Sequence, residues 1–189
     1  MDNSSGFISL TGKLLIATQN STDSMFGHSI VLITHHTQTD GAVGYILNKP
    51  LQSLSPAEVF KDRPFDFLGP DFCVKRGGPM DLGHGAVLHS AEYQALDTQP
   101  LFDNVALTET QQILDDISDQ IGPKYFMILI GKAAWAPAQL EDEIMANMWI
   151  QTDPSFDLIF KTPDNKKWQE SLATLKIDAK YLAFNAGKA

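Results

Sequence analysis

Short runs of aliphatic and β-branched residues at 14–18, 29–34 and 42–47 alternate with polar stretches and predict three strands. Asp40-Gly41 lies between the second and third runs, a hairpin signal that pairs them antiparallel. Ser55 before Pro56 predicts a short helix running to about residue 60, with Ser55 as N-cap and Pro56 at the first helical position. Residues 61–71, with Pro64, Gly69 and Pro70, read as loop.

Runs at 72–75 and 86–89 predict two further strands, joined by a loop holding Gly77, Gly78, Pro79, Gly83 and Gly85. Ile113, Leu114, Ile117 and Ile121 form an apolar stripe and predict a helix over 109–121, with Thr108 and Gln111 as a capping box and Gly122-Pro123 as its stop. The run at 125–130 is apolar on both faces and predicts a central strand. Pro137 opens another helix, in which Leu140, Ile144 and Met148 share one face. Residues 156–160 read as a late strand. Thr162-Pro163 introduces a last helix carrying Trp168, Leu172 and Leu175, whose Lys166-Lys167 pair reads as a solvated face. Strands and helices follow in no regular βαβ alternation, so the pattern predicts an α+β fold, as one domain over 1–189.

Charge narrows the functional classes. Lys and Arg number 14 against 23 Asp and Glu, a net charge of −9, which disfavours direct binding to a phosphate backbone. Cys73 is the only cysteine, which rules out an intramolecular disulfide and suits a reducing, cytoplasmic setting. The start of the chain lacks a basic signal region, and the longest apolar run, 125–130, is far below the roughly 20 residues of a membrane helix, so no membrane association is expected.

The candidate chemistry concentrates in a few segments. Arg76 precedes Gly77-Gly78-Pro79, where glycines can turn backbone N–H groups toward a carboxylate or phosphate; the alternative is a tight turn between strands. The segment lacks the Lys-Ser/Thr ending of a P-loop, so no triphosphate site, and no cofactor, is expected. His89 lies at the far end of the same loop, so a hairpin would carry it near Arg76 as a general base; otherwise it is a hydrogen-bonded strand-end histidine. Glu141, Asp142 and Glu143 open their helix, where carboxylates also complement the macrodipole. His35-His36 point to opposite faces of a strand and His28 and His84 are scattered, so no metal is expected. Cys73 sits among apolar residues and reads as packing, as do Trp135 and Trp149 on either side of the acidic helix.

Gly41-Ala42-x-Gly44 running into Ile46-Leu47-Asn48-Lys49-Pro50, Gly77-Gly78-Pro79 with Leu88-His89, Trp135-x-x-x-Gln139-Leu140-Glu141-x-Glu143, Trp149, and Phe160-Lys161-Thr162-Pro163 with Trp168 together resemble the YqgE/AlgH family of small bacterial proteins. The resemblance runs from about Gly12 to Gly187. It implies a cytosolic α+β protein with a mixed, mostly antiparallel, branched sheet, partly closed into a small barrel and surrounded by helices. It supplies no reaction, cofactor or substrate, although a transcriptional role is attached to the family name. The chain departs from the family pattern at His35 before His36, at Gly131-Lys132 and at Ala134.

Two classes of function follow. The first is a binding or regulatory domain whose pocket, lined by Asn48, Lys49, Arg76, Gly77, Gly78, His89 and Gln139, takes a small anionic ligand or the acidic segment of a protein partner. The second is a hydrolase or group-transfer enzyme with His89 as base, Glu141 or Glu143 as acid and Arg76 as an oxyanion clamp. A transcriptional regulator is a third reading, made weaker by the acidic charge and the absence of a helix-turn-helix signature.

Overall fold

The computed structural model describes residues 6–21, 25–61, 63–69 and 72–177; Met1 to Ser5, Pro70, Asp71 and the end of the family resemblance at Gly187 lie outside them. The first three apolar runs form β1 (Leu14–Ala17), β2 (Ile30–Thr37) and β3 (Gly41–Ile46), and β2 and β3 pair antiparallel. Gly41 takes φ +79°, and a Cβ there would stand 2.1 Å from the Trp135 carbonyl oxygen, so this corner requires glycine. The helix α1 (Pro56–Phe60) starts at Ser55 in a full capping box with Glu58 and buries Phe60. A single 3-10 turn, Asp66–Leu68, interrupts the expected loop.

The next segment departs from expectation. β4 is only Lys75–Arg76, whereas β5 (Met80–Ser90) is eleven residues long and takes in Gly83 and Gly85. Its first half is exposed and loosely paired, with a register shift between Met80 and Gly85, which is how a glycine-rich stretch can remain a strand. An unanticipated hairpin follows, β6 (Gln99–Phe102) and β7 (Val105–Thr108), with Pro100 on the outermost strand, where a missing N–H is tolerated. The helix α2 (Gln112–Ser118) is shorter than expected. Its predicted capping box does not form, because Thr108 ends β7; the Asp97 carboxylate instead accepts from Glu109 N and Thr110 N, each at 2.9 Å.

β8 (Phe126–Trp135), α3 (Gln139–Met145) and β9 (Trp149–Thr152) come next. Residues 156–160 are α4 (Phe156–Phe160), not a strand. The Ser155 hydroxyl caps Leu158 N, and the Phe156 and Phe160 rings meet at 4.9 Å across one helical turn. The last helix is α5 (Asp164–Thr174).

The strands lie in the order β6-β7-β5-β8-β3-β2-β1-β9, all antiparallel, with β4 branching off to pair parallel with β8. The sheet is not closed into the expected small barrel: the path ends on β6 and β9 without those strands pairing. β8 alternates between two apolar layers. Ile128 packs with Phe60 of α1 and Ile113 and Ile117 of α2, while Leu129 packs with Leu158 and Ile159 of α4 and Leu172 of α5. A third cluster joins Trp135, Leu140 of α3 and Trp149. Among the described residues no helix is long and apolar enough to cross a membrane.

Candidate functional site

Beyond β3 the chain continues as Leu47-Asn48-Lys49 alongside the segment that leads into β2. Asn48 replaces a strand backbone there: its Oδ1 accepts from Ile30 N at 3.0 Å and its Nδ2 donates to the His28 carbonyl at 2.8 Å. His28 is thereby held at φ +56°, a left-handed conformation uncommon for a non-glycine residue. Its ring meets Trp168 of α5 edge to face at 4.5 Å, and the Trp168 indole N–H is fixed on the Ala17 carbonyl at 2.8 Å. His28, Asn48 and Lys49, with Asp164, Asn165, Trp168 and Gln169 from α5, line an open cavity of about 390 Å³.

Three ammonium groups and one carboxylate define its charge. Lys49 Nζ donates to the Gly27 carbonyl at 2.6 Å, is half-buried, and has no carboxylate partner among the described residues. Burial lowers its pKa from the ordinary lysine value. Asp164 pairs with both Lys75, across from β4, and Lys167, at 3.0 Å on its own helix. Burial pushes the Asp164 pKa up, but the charges and hydrogen bonds of Lys167 and Lys75 outweigh it and hold the group below the ordinary carboxylate range. For Lys75, burial is outweighed by Asp164 and by the Cys73 thiol, whose sulfur accepts from Nζ at 3.0 Å, and its pKa is raised. Lys167, expected at a solvated face, is only 3% exposed and reaches the Leu47 carbonyl; burial lowers its pKa.

The other expected site residues stand elsewhere. Lys75 and Arg76 occupy successive positions opposite Leu129 and Ile130, so Lys75 faces α5 and Arg76 faces the α1 and α2 layer. The glycines after Arg76 pack against backbone. Gly77 N–H donates to Ile130 O and its carbonyl accepts from Ile46 N, and Cβ atoms at Gly77 and Gly78 would fall 2.2 Å from Gly131 O and 2.1 Å from Lys132 C. These glycines permit a close crossing over β8 and spend an amide on the sheet rather than on an anion.

No hairpin brings His89 to Arg76, since β4 and β5 flank opposite edges of β8 and His89 pairs with Phe126, four positions from Ile130. His89 is fully buried, with Nδ1 against the Ser90 carbonyl at 3.0 Å and Nε2 against the Thr108 hydroxyl at 2.8 Å. The carbonyl only accepts, so Nδ1 carries the proton; burial lowers the pKa and favours this neutral form.

Gln139, Glu141 and Glu143 lie on α3. Glu143 Oε2 accepts from the indole N–H groups of Trp135 and Trp149, at 2.8 and 2.7 Å, and Oε1 accepts from Gln139 at 3.0 Å. Glu141 lies 3.1 Å from Nε2 of buried His36, whose Nδ1 accepts from Leu10 N at 3.0 Å. The three carboxylate and imidazole candidates therefore have separate partners among the described residues.

Of the residues lining this cavity, the sequence singles out Asn48 and Lys49 as ligand-binding candidates, but not His28, Asp164, Asn165, Trp168 or Gln169. The spacing of the last four, i, i+1, i+4 and i+5 after Thr162-Pro163, places them on one side of a helix and was the available signal.

A family profile described as AlgH-like matches residues 14–180. A UPF0301 protein of Paracoccus denitrificans is 36% identical over 194 residues, covering 100% of both chains, and one of Rhodopseudomonas palustris is 37% identical, covering 95% of this chain and 87% of the relative. The solution structure of the AlgH protein from Pseudomonas aeruginosa superposes with a TM-score of 0.74 at 27% identity over 100% of both chains. A crystal structure of a Corynebacterium diphtheriae protein shares the fold, with a TM-score of 0.70 at 18% identity, covering 93% of this chain and 92% of that one.

Proposed function

This chain belongs to the AlgH-like family, and on that footing we propose that it is a cytoplasmic binding domain that holds a small anion, of the phosphate or carboxylate class, in the cavity between Lys49 and α5. The carrying observation is the Lys49 ammonium: half-buried, desolvated and without a carboxylate among the described residues, it opens onto that cavity. An ammonium has three donors, and the Gly27 carbonyl takes one. Asp164 does not cancel the attraction, because Lys75 and Lys167 already neutralise it. In a chain of net charge −9 the site is a local reversal of sign, which concentrates a small anion while the surrounding surface repels a polyanion.

A thermal-shift screen of inorganic phosphate and small carboxylates tests this, run on wild type, Lys49→Gln and Arg76→Ala. Ligand at a hundred times its dissociation constant stabilises by about 2.7 kcal/mol, which for a domain of this size raises Tm by roughly 5–10 °C. The shift is expected in wild type and Arg76→Ala and lost in Lys49→Gln. An equal shift in Lys49→Gln, or none in wild type, rejects the site.

A further inference from the structure

We infer that the anion taken by this cavity carries a planar heteroaromatic ring, placing the ligand in the class of nucleoside monophosphates; the inference rests on the anion site proposed above. The cavity, about 390 Å³, is far larger than a bare phosphate or acetate needs and falls within the ordinary range of small-molecule sites, roughly 300–1,000 Å³. Its remaining walls suit a ring. Trp168 and His28 present aromatic surface; the Trp168 indole is fixed on Ala17 O, the His28 backbone is fixed by Asn48, and the His28 ring rests edge to face on Trp168. A prearranged indole stacks a base at little cost in side-chain entropy.

Asn165 and Gln169 stand four residues apart on α5 and flank Trp168 at the mouth. Each side-chain amide offers a donor and an acceptor, the complement of a heterocycle's edge. Among the described residues neither amide makes a hydrogen bond, so both are available to a ligand. The number of anionic groups is set by the lysines. Lys75 and Lys167 are committed to Asp164, so of these three ammonium groups Lys49 alone has no carboxylate among the described residues, which matches a single phosphate rather than a di- or triphosphate. The net charge of −9 selects the free mononucleotide over the end of a nucleic-acid strand.

The test is titration calorimetry with the four common nucleoside 5′-monophosphates, ribose 5-phosphate, inorganic phosphate and a 5′-phosphorylated oligonucleotide, with tryptophan emission followed in parallel. At least one monophosphate is expected to bind tenfold or more tightly than ribose 5-phosphate and to quench emission. Lys49→Gln should weaken it at least tenfold. Trp168→Phe, which retains a stacking ring, should keep affinity within a few-fold while abolishing the quench. If ribose 5-phosphate or inorganic phosphate binds as tightly as every monophosphate, the ring is removed from the ligand and the anion site stands. Binding of none removes both. Preference for the oligonucleotide overturns the assignment to a free mononucleotide.

Discussion

Trp135 and Trp149 share one hydrogen-bond acceptor, the Glu143 Oε2 atom, with their rings edge to face at 6.0 Å. The arrangement fastens the end of β8 to the start of β9 through a half-buried carboxylate on α3, beside the apolar cluster to which both indoles belong. Glu143→Gln replaces one acceptor oxygen by a donor and leaves an indole N–H or the Gln139 amide without its partner. The expected cost is about 1–3 kcal/mol, read as a lower urea midpoint at unchanged m-value. A midpoint equal to wild type would show that Glu143 is not a structural clasp.

Asp164 is the one carboxylate between Lys75 and buried Lys167, so Asp164→Asn strands an ammonium 3% exposed. Removing one partner of a buried pair costs about 3–5 kcal/mol. Lys167→Met should cost less, because Asp164 keeps Lys75 and the methionine fills the space. The reverse ranking in urea melts would contradict the ordering.

The pH dependence of that difference is also set. The folded-state pKa of Asp164 is held below its ordinary 3.8, so its contribution is complete above about pH 4 and is lost as pH falls further, toward the folded pKa. The gap between wild type and Asp164→Asn should therefore be constant from pH 7 to 5 and shrink below 4. A gap that persists to the lowest pH at which both fold would remove the ion pairs as its cause.

His89 acts in the same direction at milder pH. Burial keeps its folded pKa below the ordinary 6.5, so the unfolded chain binds the proton first and stability declines as pH drops from about 7 toward 5.5. His89→Gln should flatten that interval. An unchanged slope would assign the decline to other groups.

Gly77 and Gly83 belong to the same glycine-rich stretch but differ in what surrounds them. A Cβ at Gly77 would stand 2.2 Å from Gly131 O, whereas nothing lies within 4 Å of one at Gly83. Gly77→Ala is expected to destabilise by about 3 kcal/mol or more, on the scale of a backbone clash in a packed interior, and Gly83→Ala to fall within about 0.5 kcal/mol of wild type. Comparable thermal midpoints for the two variants would refute the close crossing over β8.

Much of the architecture was legible where local chemistry decides structure. Asp40-Gly41 marked its hairpin because the corner needs a left-handed residue, and Ser55-Pro56 marked α1 because capping is local. The family resemblance supplied the branched sheet. What failed depended on partners distant in sequence. Residues 156–160 are a short apolar run that suits a strand or one helical turn equally, and Ser155 tips the balance. Lys167 looks solvated until Asp164, Lys75 and the Leu47 carbonyl are placed around it. Arg76 and His89 look like two ends of a hairpin because nothing local reveals that β8 runs between their strands. For the candidate cavity, Asn48 and Lys49 lie in a segment whose residue types draw attention, while the α5 wall is written only in a helical spacing.

β8 divides its partners along its length: residues 126–130 and Lys132 carry β5, Leu129 and Ile130 also carry β4, residues 133–135 carry β3, and Gly131, at φ +72°, stands at the irregular step in the β5 pairing. Strand pairing between the half of the sheet containing β5, β6 and β7 and the half containing β1, β2, β3 and β9 passes through this one strand. The apolar core joins them by another route, since one cluster sets Leu14, Ile16, Ile30 and Leu32 beside Leu88, Leu107 and Leu129, so the two halves of the sheet meet both through β8 and through shared packing beneath it.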